Sequence, residues 1–276
     1  MHTELPKNTA IHRGADLKSA VTVAAVQISP VFHNKAETTK KVCDFILEAG
    51  KHNARVIGFP ECCIPGYPGW GQFHVTESAA AYTMLTQQFH ESVEVPGPET
   101  DQIGAACREA NIYAVVGVNE RIPNTTGTMY NTQLIFGSDG TLLNKHQKYV
   151  ATVTERLVHG PGKTSTHCSV KTEFGCLSGL VCGENANPLA MYSCSLEYPS
   201  VHVASWPAPF APGSDTAVSI LSCTRSFAYS LGCYVINSVS IDDDPTIEAY
   251  QRDEESRQWL VSERHKLGAT IIGPDV

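Results

Sequence analysis

Apolar residues in this chain gather in short runs with two distinct periods, and those periods predict the elements. The β-branched run at 21–28, Val-Thr-Val-Ala-Ala-Val-Gln-Ile, is continuous enough for a buried strand. Residues 37–50 place Val42, Cys43, Ile46 and Leu47 at helical spacing and end on Gly50, which suits a C-terminal cap. Residues 55–59 return to strand, so this opening of roughly forty residues reads as a βαβ unit. The order then recurs, with a helix at 100–111 and a strand at 112–119. Two strands at 129–137 and 141–146 flank the turn Ser138-Asp139-Gly140, a hairpin signal. Strands at 176–182, 201–206 and 233–239 alternate with helices at 187–198 and 214–231. Crossovers mixed with hairpins predict an α/β fold: a mixed sheet with helices on one or both faces. The last segment, 268–276, reads as a strand entering a turn, with nothing after it to pair or cover it. That predicts either a truncated chain or a partner subunit that completes the edge.

Bulk properties narrow the class. At 276 residues, with no Pro/Gly/Ser-rich linker or charge block, one large domain is preferred over two. A hydrophobic share of 42% with 17% charged residues is that of an ordinary soluble globular protein. The formal charge of −8 offers no basic stripe, so nucleic acid is not an expected partner. No run is long enough to span a bilayer, and the polar segment 1–18 lacks the apolar core of a signal peptide, so a cytoplasmic location is expected. Ten cysteines in a chain of this length suggest reduced, buried thiols rather than a disulfide framework. Without a C-x-x-C pair, no zinc or other metal site is expected. Gly160-Pro161-Gly162-Lys163-Thr164 is superficially like a phosphate loop, but Leu157 stands where that motif needs its first glycine.

Chemistry concentrates at three strand ends. Cys182 closes the apolar run Gly179-Leu180-Val181 and precedes the polar Gly183-Glu184-Asn185, a rigid mount followed by an exposing turn. Any one of ten cysteines is more often a small buried hydrophobe than a nucleophile. The helix expected from Asn187 onward raises Cys182 above that background, because a helix N-terminus favours a thiolate. Glu61 follows Val56-Ile57-Gly58-Phe59-Pro60 and precedes Cys62-Cys63-Ile64, apolar surroundings that would raise its pKa and suit a general base. Lys148 ends Lys145-His146-Gln147, and taken alone it is more simply a surface lysine. Glu155, seven residues on, is either a salt-bridge partner or a participant. A thiol, a carboxylate and an amine on separate strands form a complete set for attack on a carbon–nitrogen bond.

These segments resemble the nitrilase superfamily, whose catalytic set is Glu, Lys and Cys. Phe59-Pro60-Glu61 with Ile64-Pro65-Gly66-Tyr67-Pro68 is similar to the glutamate segment. Tyr130-Asn131-Thr132 through Lys148, then Thr152 and Glu155-Arg156, is similar to the lysine segment with the second glutamate of many members. Cys182-Gly183-Glu184-Asn185 with Pro188-Leu189 resembles the nucleophile segment, and His202-Val203-Ala204-Ser205-Trp206-Pro207 the stretch after it. The likeness covers about Val21 to the last residue. The Ile-Pro-Gly-Tyr-Pro and Ala-Ser-Trp-Pro runs point to the true nitrilase and cyanide-hydrolysing branch.

The resemblance implies an α-β-β-α sandwich of two mixed sheets flanked by helices. It makes 21–276 the hydrolase domain, lacking the family's usual C-terminal continuation, and 1–20 a polar extension. It implies hydrolysis of a small organic nitrile to the acid and ammonia, without a cofactor, in a homo-oligomer that is a dimer or a larger spiral. Glu61, Lys148, Cys182 and Glu155 would be catalytic, and Tyr67, Gly183, Asn185, Trp206 and Pro207 would border the substrate. Alternatives with the same residues are an amidase, a cyanide hydratase or dihydratase, and an inactive homologue acting through assembly. Three positions depart from the family pattern: Gly183 and His159 stand where Trp is common, and Ala151 where Pro is common. Loss of two large aromatics would widen the pocket.

Overall fold

The computed structural model describes residues 20–275 apart from 76, 165–167 and 214; the polar segment 1–19 lies outside the described residues. Chain order begins β1 (Val23–Ala25), β2 (Gln27–Ile28), α1 (Lys35–Lys51) and β3 (Val56–Gly58). It continues α2 (Ala79–Glu91), α3 (Pro98–Ala110), β4 (Tyr113–Arg121), β5 (Met129–Phe136) and β6 (Leu142–Gln147). Next come β7 (Ser169–Thr172), β8 (Gly175–Val181), α4 (Pro188–Ser195), β9 (Pro199–Trp206) and α5 (Thr216–Leu231). The chain closes with β10 (Tyr234–Ser240), α6 (Asp244–Tyr250), α7 (Glu254–Glu263) and β11 (Thr270–Ile272).

The strands form two mixed sheets, one ordered β1-β3-β4-β5-β6 and the other β11-β10-β9-β8-β7 with β2 also on β10. Val56, Val115 and Ile135 of the first sheet pack against Leu177, Val201, Val203 and Ile236 of the second. Val42, Ile46, Ile103 and Cys107 of α1 and α3 cover the outer face of the first sheet. Cys194, Ile220 and Phe227 of α4 and α5 cover the second. The result is an α-β-β-α sandwich. Gln133 in β5 ties the sheets together, donating to the carbonyls of Leu180 and Val203 at 3.4 Å and to Ser205 Oγ at 2.8 Å. Close approach requires small residues: a Cβ on Gly179 would sit 2.3 Å from Gln133 Oε1, and one on Gly58 2.7 Å from Val203.

Several elements differ from the sequence pattern. The run at 21–28 is not one strand: β1 pairs with β3 in the first sheet, and β2 with β10 in the second. A continuous apolar run therefore served two sheets. Gly50 is no cap. It lies inside α1 against Ala110, and His52 caps the helix. The strand near the C-terminus does find a partner, since β11 pairs antiparallel with β10 through Val235↔Ile272. The pattern missed α2, which buries only Ala81 and Gln88, and also the short β7, α6 and α7. All ten cysteines are free thiols, and Cys43, Cys176 and Cys223 are only partly buried.

Candidate active site

Glu61, Lys148 and Cys182 follow the C-terminal ends of β3, β6 and β8, and each segment is anchored by its neighbours. The Glu61 loop runs across Gly117 of β4, where a Cβ would lie 2.2 Å from the carbonyl oxygen of Pro60. The Glu61 amide donates to the Trp206 carbonyl at 3.3 Å, bringing the carboxylate of one sheet to the strand ends of the other. The phosphate-loop-like run supports Lys148: Gly162 N donates to the Lys148 carbonyl at 2.8 Å, and Gln147 N to Thr164 Oγ1 at 2.9 Å. Cys182 opens a short 3-10 turn, Cys182–Ala186. Glu184 joins that turn to the lysine segment. Its carboxylate accepts from Val181 N at 2.9 Å and Tyr149 N at 2.7 Å, and meets His146 Nε2 at 2.9 Å.

Left-handed backbone marks all three segments. Cys62, next to Glu61, has φ 47°, Val153, between Lys148 and Glu155, has φ 49°, and Cys182 itself has φ 51°. A β-branched residue in that region is strained, and such strain persists where surroundings fix the geometry.

The charged groups form one buried cluster. Lys148 Nζ donates to Glu61 Oε1 and Glu155 Oε2, each at 2.7 Å, with all three side chains at most 2% exposed. Asn131 Nδ2 bridges the same two carboxylates at 2.7 and 2.8 Å. Glu155 has further donors: Thr152 N at 2.9 Å, Tyr67 Oη at 3.4 Å and the His159 ring at 3.2 Å. Glu61 has none of these, and its Oε2 is buried with no hydrogen-bond partner among the described residues.

That asymmetry separates two chemically identical groups. Burial pushes the Glu61 carboxyl up to about 7, against the pull of the Lys148 ammonium. Burial also works on Glu155, but Lys148 and His159 hold it well below the usual carboxylate range. Lys148 is raised well above its ordinary value because Glu61, Cys182 and Glu155 outweigh its own desolvation. Burial raises the Cys182 thiol far above its usual range, and the Glu61 charge adds to the effect. The thiolate expected from a helix N-terminus is therefore not the resting form. The resting set is a thiol, a fixed ammonium, a fixed carboxylate and a carboxyl poised near neutrality.

The remaining sequence-nominated residues divide. Tyr67 packs its ring on Phe210 at 4.9 Å and lines a small cavity with it. Gly183 is exposed, with nothing within 4 Å of where a Cβ would lie. Asn185 departs from the expected substrate contact: it is fully buried, donating to the carbonyls of Leu180 and Cys182 and meeting the His202 ring at 2.8 Å. Trp206 is likewise committed elsewhere, its indole donating to Asn237 Oδ1 at 3.0 Å. Pro207 is buried beside it. His159 does not widen a pocket. Its ring spans Glu155 and Asn119 Oδ1, the latter at 2.7 Å, replacing bulk with a hydrogen-bonded brace. Asn131, Asn119 and the Glu184–His146 link had no assigned role in the sequence. Asn131, Asn119 and His146 sit on strands among other polar residues and Glu184 in the turn after Cys182, so only the pairing across elements reveals them.

Fold and site together are an α-β-β-α sandwich with a buried carboxyl–lysine cluster and a buried thiol at strand ends. Residues 22–272 match the carbon–nitrogen hydrolase family, and the chain belongs to it. It is 36% identical over 80% of its length to a protein named Nitrilase 3 from an unknown prokaryotic organism, and spans 66% of that protein. It is 32% identical over 92% of its length to a nitrilase of Paraburkholderia phymatum, spanning 72% of it. An amidase from Nesterenkonia sp. shares the fold with a TM-score of 0.65 at 15% identity, over 93% of this chain and 83% of that one. Among the described residues no helix is long and apolar enough to cross a membrane, and no group of three or more His, Cys, Asp or Glu could hold a metal ion.

Proposed function

We propose that this chain hydrolyses a small organic nitrile to the carboxylic acid and ammonia, with Cys182 as nucleophile. The observation that carries the reading is the unequal pair of carboxyls on one buried lysine, acting on a thiol mounted in left-handed backbone. Relatives named as nitrilases support the nitrile over other carbon–nitrogen substrates.

Cys182 Sγ bonds to the nitrile carbon while its proton passes to Glu61, whose unpartnered Oε2 is free to accept it. Glu61 returns that proton to the nitrogen, which otherwise has no way to leave, and a thioimidate forms. Lys148 stabilises the charge that develops at the tetrahedral stage, while Glu155 keeps the ammonium in place. Addition of water expels ammonia and leaves a thioester; a second water releases the acid and restores the thiol. Expulsion of the thiol before ammonia gives an amide instead.

Ammonia release across aliphatic, aromatic and arylacetonitrile substrates, cyanide and the matching amides tests the reading, and its pH profile tests the base. Glu61 must be ionised to act, so kcat/KM is expected to fall about tenfold per pH unit below about 7. Stability should show the opposite sign. Between the ordinary carboxyl value of 4.5 and about 7 the folded protein holds a Glu61 proton that the unfolded chain has lost. That contribution disappears as pH rises through about 7. Glu155 contributes above 4.5 and loses its contribution only as pH falls through its depressed pKa. Release of ammonia from amides alone would replace the nitrile reading with an amidase.

Self-association is part of the same proposal. Leu189, Tyr192 and Leu196 project from one side of α4 and its C-cap at helical spacing, with exposures of 78, 63 and 59%. A second copy of this chain is the proposed cover. Light scattering should show at least a dimer that Leu189→Lys with Tyr192→Lys converts toward monomer; a monomeric parent protein would refute it.

A further inference from the structure

Asp242 follows the C-terminal end of β10 as Cys182 follows that of β8, and β8, β9 and β10 run parallel side by side. Their strands lie two strand spacings apart, about 10 Å across the sheet, and Asp242 stands three register positions beyond the level of Cys182. Ligands of α/β sheets collect beyond such carboxyl ends. Asp242 is 6% exposed, and no donor among the described residues hydrogen-bonds its carboxyl. It lines a cavity of about 10 Å³ with Ser240, Tyr67, Phe210 and Tyr250. That is room for one water-sized group.

Tyr67 links the cavity to the reaction centre. It forms one wall, and its hydroxyl reaches Glu155 in the charged cluster at 3.4 Å. The Tyr250 hydroxyl is already used, donating to the Tyr67 carbonyl, so Asp242 and Ser240 supply the free polar lining. Burial raises Asp242 to about 7, with Asp243 adding and Arg264 opposing. A buried carboxyl without a partner is costly unless something visits it.

We propose that this cavity receives the far end of the substrate, and that Asp242 selects a hydrogen-bond donor there, a hydroxyl or primary ammonium at the end of an aliphatic chain. The inference rests on the nitrile reading for the reacting end only. The competing role is structural, a long-range charge contact from Asp242 to Arg264.

The test is equilibrium binding to Cys182→Ala protein at pH 8, by calorimetry, so that turnover is not needed. The probes are ω-hydroxy and ω-amino nitriles of increasing chain length, their ω-methyl isosteres, and the matching amides. One chain length should bind roughly tenfold or more tightly as the hydroxy or amino compound than as the methyl isostere. Adding Asp242→Leu should erase that preference. Adding Asp242→Asn should keep the hydroxyl preference and lose the ammonium one, which also carries the test if the leucine variant does not fold. A preference seen with amides alone would leave the cavity assignment standing and remove the nitrile reading. No preference at any length would overturn the proposal and leave the cavity holding water only. A lowered melting temperature in Asp242→Leu with the preference intact would also overturn it, in favour of the contact to Arg264.

Discussion

Cys182→Ala is expected to abolish ammonia release while leaving the fold intact. The thiol is the proposed nucleophile, and no neighbouring group can form the thioimidate in its place. The other cysteine beside the cluster, Cys62, is 0% exposed against 8% for Cys182, so it is closed off from a substrate. Stability should change by only about 1 kcal/mol, because alanine removes one buried sulfur and inherits the same left-handed backbone. Activity assays with thermal unfolding separate the two effects. Substantial turnover by the folded variant would remove Cys182 from the mechanism.

Glu61→Gln and Lys148→Met should both cost activity, yet they should differ in stability. The glutamine keeps an oxygen for Lys148 and Asn131 but cannot take the thiol proton, so a loss of roughly 10²- to 10⁴-fold in kcat is expected with little unfolding penalty. Lys148→Met removes the cation between two buried carboxyls. Its rate should fall by a similar factor, and stability by about 3–5 kcal/mol near pH 8, where Glu61 and Glu155 are both ionised. Equal stability losses in the two variants would contradict the unequal charge assignment.

Much of this was legible in the sequence because strand ends carry their own signal. Glu61 and Cys182 each follow an apolar run and Lys148 follows a strand whose last residues are polar, and the structure brings Glu61 and Lys148 onto one hydrogen-bonded cluster with Glu155. The sandwich was legible from the family resemblance, whereas periodicity alone gave only a mixed sheet with helices. What periodicity could not show was where one run divides between two sheets, as at Val26, whose amide and carbonyl are used on opposite sides by Gly58 and Val239. Nor could it show that Asn185 and Trp206 spend their polar atoms inside the protein, because a side chain's partner depends on long-range register. His159 illustrates the same limit: by type it is a lost aromatic, by position a brace on Glu155. Asp242 was hidden among Asp243 and Asp244, and only the cavity distinguishes it.

The most direct measurement is peptide mapping by mass spectrometry after incubation with a slowly hydrolysed nitrile. The expected result is a single thioimidate or thioester adduct on the peptide containing Cys182, absent in Cys182→Ala and accumulating abnormally in Glu61→Gln. Turnover with an adduct on a different cysteine, or with no covalent adduct under conditions that trap thioesters, would contradict Cys182 as the nucleophile.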